Sequence, residues 1–271
     1  MKREDNGYLD LKHISHETGG FISANKNIFN NINLTKNTKY ILEESIKGTP
    51  IIKIGNNFPK VLIVAGIHGN ELAPQISALN LIDQIYDLNL LGTVYIIPFA
   101  CPKASMMNSR YFDGGDLNRL AHKEGSISNL ILKKAKELEV EAIGDFHSTA
   151  PNSNPGKEGV FCSEVPTMGS FNMAEFISKV TGSEKIVYQS AGIPFKGALE
   201  DESNLEGIPA VTCEVLSAIG YANERICNRS ILQMKSFLQY FGLFDNYIEY
   251  WIFLFLNYNT FLFHYVIISL F

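Results

Sequence analysis

The sequence predicts an α/β fold with a mixed, largely parallel central sheet and helices on both faces. Short apolar runs, typical of buried strands, alternate along the chain with segments whose apolar residues recur at a helical period. This alternation favours a parallel sheet, because each helix carries the chain back to the edge where the next strand begins. The length of 271 residues, 46% of them hydrophobic, is sufficient for one sizeable core.

Six segments have the composition of strands. The segment KVLIVAGI, residues 60–67, is apolar almost throughout, which is typical of a strand that is buried on both faces of a sheet. The other five are shorter apolar runs bounded by turn residues. They lie at residues 50–54, 93–99, 141–146, 159–162 and 209–215.

Four segments predict helices. After Glu71, apolar residues recur at helical spacing as far as Tyr86, and Pro74 falls in the first turn, where a helix needs no backbone donor. In the segment 229–241, four apolar residues share one face and Gly242 follows as a C-cap. The remaining two helices are predicted at residues 128–140 and 171–180.

The composition argues against a nucleic-acid-binding protein and favours a cytoplasmic location. Charged residues make up 19% of the chain, the net charge is −5, and no basic cluster of the kind that binds nucleic acid is present. The N-terminus lacks the apolar segment of a secretory signal. The four cysteines form no C-x-x-C pair, so we expect buried, reduced thiols in a cytoplasmic protein.

The stretch VAGIHGNELAP places His68 and Glu71 three positions apart at the end of a predicted strand, and His147 follows another strand. Ligands of open α/β sheets bind just beyond the carboxyl ends of strands. Catalytic zinc takes three ligands of these residue types and leaves one position open for water. Taken singly, the first pair also fits a polar turn with an acid at a helix N-terminus, and His147 also fits a hydrogen-bonded loop histidine.

Two more polar clusters are predicted at the same edge of the sheet. The loop NSRYFDGGDLNRL, residues 108–120, contains Arg110 and Arg119, whose guanidinium groups can bind a carboxylate or stabilise an oxyanion. A solvated charged loop is the alternative. Glu214 lies inside the apolar strand 209–215, where burial would raise its pKa and suit it to proton transfer. Alternatively, Glu214 faces solvent at a strand edge.

Four motifs together resemble the succinylglutamate desuccinylase/aspartoacylase family of the zinc carboxypeptidase superfamily. They are GIHGNE, NSRYFDGGDLNR, DFHST and GIPAVTCEV, at residues 66–71, 108–119, 145–149 and 207–215. They occur in the order and spacing of the family, and the resemblance extends from about residue 40 to residue 243. It implies a zinc carboxypeptidase-like fold.

The resemblance also implies the metal ligands and the catalytic groups. It implies that His68, Glu71 and His147 bind one zinc ion (Zn2+) per chain. Glu214 is then the general base that later acts as the acid. Arg110 is the group that stabilises the oxyanion.

The remaining residues of the resemblance concern the substrate and the support of the metal site. Asn118 and Arg119 are implied to hold a substrate carboxylate, and Asp116 to be the partner that orients a zinc-binding histidine. The segment between Arg110 and Asp116 carries GG where the aspartoacylase pattern has one residue fewer. We therefore expect the conformation of this loop to differ.

These roles predict a zinc-dependent hydrolase that cleaves the amide bond of a small N-acyl amino acid or a similar carboxylate-bearing substrate. A metallocarboxypeptidase acting on short peptides is the alternative, because the long deacylases of the family carry a C-terminal β-rich domain and nothing after Leu243 resembles one. Alternatives of another class are a non-catalytic binding protein and a membrane-tethered protein. The sequence leaves the acyl group, the amine and the oligomeric state open.

The two ends of the chain differ in composition from its middle. We predict a polar N-terminal segment (1–39) that leads into the fold, a hydrolase domain (40–243) and a hydrophobic, aromatic-rich tail (244–271). Residues 250–271 contain no Asp, Glu, Lys or Arg, and nine of these 22 residues are aromatic. The tail fits a membrane anchor, a packed strand or helix, or a non-native end translated from a shifted reading frame.

Overall fold

The structure is a computed structural model that describes residues 9–244 of the chain. The strands are β1 (Asp10–His13), β2 (Pro50–Gly55), β3 (Lys60–Ala65), β4 (Thr93–Ile97), β5 (Tyr111–Phe112), β6 (Gly115–Asp116), β7 (Ala142–Thr149), β8 (Gly159–Val165), β9 (Glu184–Ser190) and β10 (Ala210–Leu216). The helices are α1 (Lys26–Phe29), α2 (Lys36–Ser45), α3 (Leu72–Ile85), α4 (Pro102–Met106), α5 (Ile127–Leu138), α6 (Met168–Thr181), α7 (Leu199–Leu205) and α8 (Glu224–Tyr240). Two 3-10 helices, Ile22–Ala24 and Leu117–Arg119, complete the described part.

Eight of the strands form one mixed sheet in the order β1-β2-β4-β3-β7-β10-β8-β9. Its centre is parallel, because β4, β3, β7 and β10 pair with their neighbours in the same direction. The strands β2 and β8 flank this centre in the antiparallel direction. The predicted mixed, largely parallel sheet of a zinc carboxypeptidase-like fold is confirmed.

Each central strand contributes to two cores, because successive side chains point to opposite faces of a sheet. On one face, residues such as Ile63 pack with Phe237 of α8. On the other face, Leu62 packs with Ile131 of α5 and Leu199 of α7. Burial on both faces explains why the central strands read as nearly continuous apolar runs in the sequence.

Polar side chains fix where most of the longer helices begin. Thr35, Ser126, Thr167 and Asn223 each accept a hydrogen bond from a backbone N–H in the first turn of α2, α5, α6 and α8. The helices α3 and α7 have no such side-chain cap. The residue that precedes α3 is Glu71, whose carboxylate therefore remains available for other contacts.

All six predicted strands and all four predicted helices are present, with ends shifted by a few residues. Part of the predicted N-terminal segment, residues 1–39, joins the same sheet and core as the predicted hydrolase domain. The strand β1 pairs with β2 in the main sheet, and Ile22 and Ile28 are buried in the first core. These few apolar residues lie within a polar, Asn-rich segment, and the composition of that segment did not predict that they are buried.

The strand β9 and the helix α7 were also missed. The strand β9 is at the edge of the sheet and is partly exposed along its length. The helix α7 spans only seven residues, LEDESNL, and four of them are polar or acidic residues that are nevertheless buried. Neither element has the apolar periodicity on which the prediction relied.

The predicted aromatic segment, residues 250–271, lies outside the described residues, as does all but the first residue of the predicted tail. Within residues 9–244, none of the helices combines the length and the apolar character needed to cross a membrane.

Candidate metal centre and active site

A tight turn after β3 presents the first two predicted ligands. His68 and Glu71 lie in this turn, and the glycine between them is required, since a Cβ at Gly69 would be 2.1 Å from the backbone carbonyl carbon of Ala104. The side chain of Gln75 stabilises the turn from within α3, because its Nε2 donates to the carbonyl oxygens of Glu71 at 2.7 Å and Gly69 at 3.2 Å. The turn is therefore held rigidly against both α3 and α4.

The structure brings His68, Glu71 and His147 together at the carboxyl ends of β3 and β7. One Glu71 oxygen is 2.7 Å from His68 Nδ1 and the other is 2.8 Å from His147 Nδ1. One ligand atom from each residue lies within 4.8 Å of the other two, and all three residues are buried. Two imidazole nitrogens and one carboxylate oxygen form a donor set that suits a catalytic zinc ion.

The outer nitrogen of each imidazole faces a carboxylate. Asp116 Oδ1 is 2.9 Å from His68 Nε2, and Asp145 Oδ2 is 2.9 Å from His147 Nε2. The Asp116 contact is a hydrogen bond, which favours the tautomer in which His68 Nδ1 presents its lone pair to a metal, whereas Asp145 faces His147 as an ion pair. The predicted proximity of Asp116 to a ligand histidine is present. Asp145 was missed, although its position two residues before His147 on the same strand puts both side chains on one face.

The pKa values of this cluster reflect its charges. Burial disfavours ionisation of Glu71, but His68 and His147 outweigh burial and lower the pKa of its carboxyl. Burial also disfavours a charged His147, yet Asp145 and Glu71 raise the pKa of this imidazole well above its ordinary value. A metal ion bound to His147 Nδ1 would have to displace a proton from this imidazole, so its binding would weaken as the pH falls.

Arg110 reaches the centre from the loop that carries the additional glycine. The residues Asp113 and Gly114 have φ values of 49° and 76°, which give the two-residue type I′ turn that joins β5 to β6. Directly before β5, Arg110 donates from Nε to Asp116 Oδ2 at 2.8 Å, and its Nη1 is 3.2 Å from His68 Nδ1. Its guanidinium is thus placed beside the candidate metal ligands.

Asn118 and Arg119 lie in the 3-10 helix that follows β6. The side-chain oxygen of Asn118 accepts a hydrogen bond of 3.0 Å from the Leu199 N–H at the start of α7, and its Nδ2 is 3.4 Å from His147 Nε2. Arg119 donates to the Asn118 carbonyl oxygen at 2.6 Å and lies over the Phe195 ring, 5.1 Å from its centroid. Asn118 therefore also joins this loop to α7.

Glu214 lies on β10, where it is paired in register with His147 of β7. Because β10 is an interior strand of the sheet, the alternative of a strand-edge Glu facing solvent is wrong. The Oε2 atom of Glu214 is buried and has no hydrogen-bond partner. Burial, together with the negative charge of Glu71, raises the pKa of Glu214 to about 8. A carboxyl with such a pKa can accept and return a proton near neutral pH.

One cavity of ≈ 270 Å³ contains these groups. Seven of the eight predicted site residues line it, and Asp116 lies outside its lining, against His68. The volume is close to the lower end of the range of about 300–1,000 Å³ that is usual for small-molecule pockets. The lining residues that were not predicted from the sequence include Phe161, Phe195, Glu200 and Thr212.

Several solved structures share the fold. An aspartoacylase family protein from Mesorhizobium loti is 21% identical, with a TM-score of 0.56 over 73% of this chain and 62% of that chain. A succinylglutamate desuccinylase/aspartoacylase from Rhodobacter sphaeroides is 18% identical, with a TM-score of 0.58 over 75% and 62%. A metallo-carboxypeptidase from Burkholderia cenocepacia is 15% identical, with a TM-score of 0.51 over 70% and 59%.

The chain thus spans less than two-thirds of the length of these relatives. No curated protein sequence matches it. At the level of families, residues 57–241 match the succinylglutamate desuccinylase/aspartoacylase catalytic domain, which includes every candidate site residue described above. The chain therefore belongs to the succinylglutamate desuccinylase/aspartoacylase family of hydrolases.

Proposed function

We propose that this protein is a zinc-dependent deacylase that cleaves the amide bond of an N-acyl amino acid. The observation that carries the proposal is the convergence of His68, Glu71 and His147 next to Glu214, whose buried Oε2 has no partner. A buried, unpaired carboxyl oxygen is costly unless it has a function. We place the protein in the cytoplasm, which is supported by its four buried and unpaired cysteines.

The residues of the cavity have separate roles in the proposed amide hydrolysis. A zinc ion at the three ligands supplies Lewis-acid chemistry, which makes water more acidic and polarises a carbonyl group. Glu214 removes a proton from the attacking water and later transfers it to the leaving nitrogen, a role that its raised pKa favours. The Arg110 guanidinium donates hydrogen bonds to the oxygen on which negative charge develops.

The substrate carboxylate is assigned to Asn118 and Arg119. Both line the cavity, and the Arg119 guanidinium is oriented by its hydrogen bond to the Asn118 carbonyl and its contact with Phe195. A guanidinium held in this way loses little freedom when it binds a carboxylate with two parallel hydrogen bonds. The modest cavity volume supports a substrate of amino-acid size.

A metallocarboxypeptidase that removes one residue from a peptide is the second candidate. It is supported by the fold shared with the metallo-carboxypeptidase from Burkholderia cenocepacia. The same residues would serve, since the carboxylate held by Asn118 and Arg119 would then be the C-terminus of a peptide. The two candidates differ in what lies on the acyl side of the scissile bond.

Metal analysis followed by a substrate panel tests the proposal. The purified 271-residue chain should bind about one equivalent of zinc, and His147→Ala should lose most of it. N-acetyl and N-succinyl amino acids should be hydrolysed, and Glu214→Gln should retain zinc while turnover falls by at least about 100-fold. Turnover of N-blocked dipeptides alone would favour the carboxypeptidase. Full zinc binding by His147→Ala would refute the ligand assignment.

A further inference from the structure

Besides the candidate metal ligands, the lining of the cavity includes three buried residues, Phe161, Glu200 and Thr212, which we call its inner end. On β10, Thr212 precedes Glu214 by two residues and therefore points to the same face of the sheet. It is paired in register with Asp145 of β7 and with Phe161 of β8. The helix α7 packs over these three strands. The inner end of the cavity is thus enclosed by β8, β10 and α7.

Glu200 contributes an acid to this inner end from the first turn of α7. Its residue is only 2% exposed, and yet it lines the cavity. One of its carboxyl oxygens accepts a hydrogen bond from Asn204 Nδ2 at 2.6 Å. Burial, together with the nearby carboxylates of Asp201 and Asp145, raises the pKa of Glu200 well above its ordinary value. A buried acid surrounded by other acids is electrostatically matched to a positive charge.

Thr212 supplies a second polar group to the same cavity. It is 8% exposed and lines the cavity, and its hydroxyl forms no hydrogen bond with any of residues 9–244. Its oxygen atom is open to the cavity rather than fully buried. This hydroxyl is therefore available to accept a hydrogen bond from a ligand that enters the cavity.

Aromatic rings form the remaining wall. The Phe161 ring stacks on Tyr188 with centroids 5.9 Å apart, and it meets the Phe195 ring edge-to-face at 5.7 Å. Phe161 and Phe195 both line the cavity. Aromatic faces attract cations, and the contact of Arg119 with Phe195 shows that this wall already holds one. Aliphatic carbons of a substrate side chain would pack well against the same rings.

We propose that Glu200, Thr212 and Phe161 form a subsite for the cationic side chain of the substrate amino acid. The proposal rests on the proposed function and narrows its substrate class to N-acyl derivatives of amino acids that carry a side-chain ammonium group. Asn118 and Arg119 hold the carboxylate, while the ammonium group lies further inside and donates to Glu200 and Thr212. The reacting amide then lies at the metal end of the cavity.

Two matched ligands test the subsite, because ornithine and norleucine differ only by an ammonium group in place of a terminal methyl group. Calorimetry on the zinc-loaded 271-residue chain should show that L-ornithine binds at least about tenfold more tightly than L-norleucine, as expected for a charge-assisted hydrogen bond. The Nα-acetyl derivatives should show the same preference in kcat/KM. Glu200→Gln should reduce both ratios to within about threefold of unity.

Control variants separate the subsite from general effects of charge. Glu206→Gln makes the same substitution just after α7, where Glu206 is exposed and pairs with Lys136, and it should keep the preference of the wild type. Thr212→Val should weaken ornithine binding and leave norleucine binding within a factor of about two, which provides a second variant if Glu200→Gln fails to fold. Equal binding of ornithine and norleucine by the wild-type protein would overturn the subsite.

The binding assay also distinguishes this inference from the proposed function. If no N-acyl amino acid is hydrolysed while ornithine still binds preferentially through Glu200, the deacylase assignment fails and the subsite stands. If N-acetylnorleucine and Nα-acetylornithine are hydrolysed equally well, the deacylase assignment stands and the subsite is wrong. Retention of the ornithine preference in Glu200→Gln would also show that the subsite is wrong.

Discussion

Two carboxyl groups at the same edge of the sheet are tuned in opposite directions. Glu71 lies between two imidazoles, which lower its pKa and keep it ionised. At Glu214, burial and the charge of Glu71 outweigh the influence of His147 and raise the pKa to about 8. A permanently ionised group suits metal binding, and a group that titrates near neutrality suits proton transfer. The environment thus separates the two roles.

Replacement of Asp145 tests whether the carboxylates next to the ligand histidines contribute to metal binding. Asp145→Asn removes the charge that faces His147 Nε2, so the imidazole loses its oriented partner. We expect zinc affinity to fall by about 10–100-fold, measured by competition with a chelator. Asp113→Asn, an exposed position at the tip of the β5–β6 hairpin, is the matched control and should bind zinc as the wild type does. Equal affinities of all three proteins would show that Asp145 has no orienting role.

The raised pKa of Glu200 predicts that the stability of the folded protein depends on pH. Because burial raises its pKa in the folded protein, the folded state keeps a proton that the unfolded chain releases above about pH 4.3. The resulting loss of stability is absent below that pH and grows as the pH rises toward the folded-state pKa. Glu200→Gln cannot ionise, so it should raise the thermal midpoint at pH 7–8 by at least about 2 °C and leave it unchanged near pH 4.

The measurement requires zinc-free protein in chelator, so that metal release at low pH does not contribute. Glu206→Gln, with an exposed side chain after α7, should show no such pH-dependent difference from the wild type. If the gain in Glu200→Gln is the same at pH 4 and pH 8, it arises from packing and the ionisation argument is wrong. The variant is also the one used to test the subsite, so this result reports directly on its fold.

At the scale of residues, the candidate metal ligands could be predicted from the sequence because they belong to motifs at the ends of strands. His68, Glu71 and His147 follow β3 or belong to the end of β7, and the parallel centre of the sheet brings such ends together. Glu200 and Thr212 could not be predicted in this way. Their contribution depends on the packing of a seven-residue acidic helix over strands that are far apart in sequence.

Among the elements, the loop between β9 and α7 packs on the segment that carries Arg119, the residue proposed to bind the substrate carboxylate. Its glycine, Gly197, has a φ of +84°, and a Cβ there would lie 2.3 Å from the Arg119 carbonyl oxygen. The carbonyl oxygen of Gly197 also accepts a hydrogen bond of 2.9 Å from the Ala121 N–H. The loop therefore packs directly on the segment that positions Arg119, and only glycine permits this approach.

Gly197→Ala should disturb both stability and substrate binding. The left-handed backbone alone disfavours alanine by about 1–2 kcal/mol, and the overlap with Arg119 adds to this loss. Gly182→Ala is the control, because Gly182 has a φ of +73° but a Cβ there would meet nothing within 4 Å. Urea unfolding should show losses for both variants, larger for Gly197→Ala, and only Gly197→Ala should raise KM. An unchanged KM would separate the loop from substrate binding.

At the scale of the whole molecule, the sequence predicted the architecture because the central strands and covering helices carry strong apolar patterns. The N-terminal part was assigned outside the hydrolase domain because residues 10–39 are polar, with isolated apolar residues such as Ile22 and Ile28. These residues are buried only because β1 adds to the edge of the sheet and positions the segment that follows it. Pairing of this kind across 40 residues leaves no local signal.

The C-terminal end of the described residues gives the last prediction. Leu243 is fully buried, its carbonyl oxygen accepts a hydrogen bond of 3.0 Å from the Leu91 N–H, and its side chain occupies the space beside Gly92. A version of the chain that ends at Phe244 should therefore keep zinc binding and the thermal midpoint of the 271-residue chain. A version that ends at Phe241 lacks this buried leucine, and its midpoint should fall by at least about 5 °C.

Both truncations also test the proposed division of the chain into a hydrolase domain and a tail. If the version ending at Phe244 were less stable than the 271-residue chain, residues 245–271 would contribute to the fold, as the packed-tail interpretation requires. If its stability were unchanged and only the 271-residue chain fractionated with membranes, the anchor would be supported instead. Identical stability and fractionation of the two versions would leave neither role for the tail and would place the whole of the folded, metal-binding unit before residue 245.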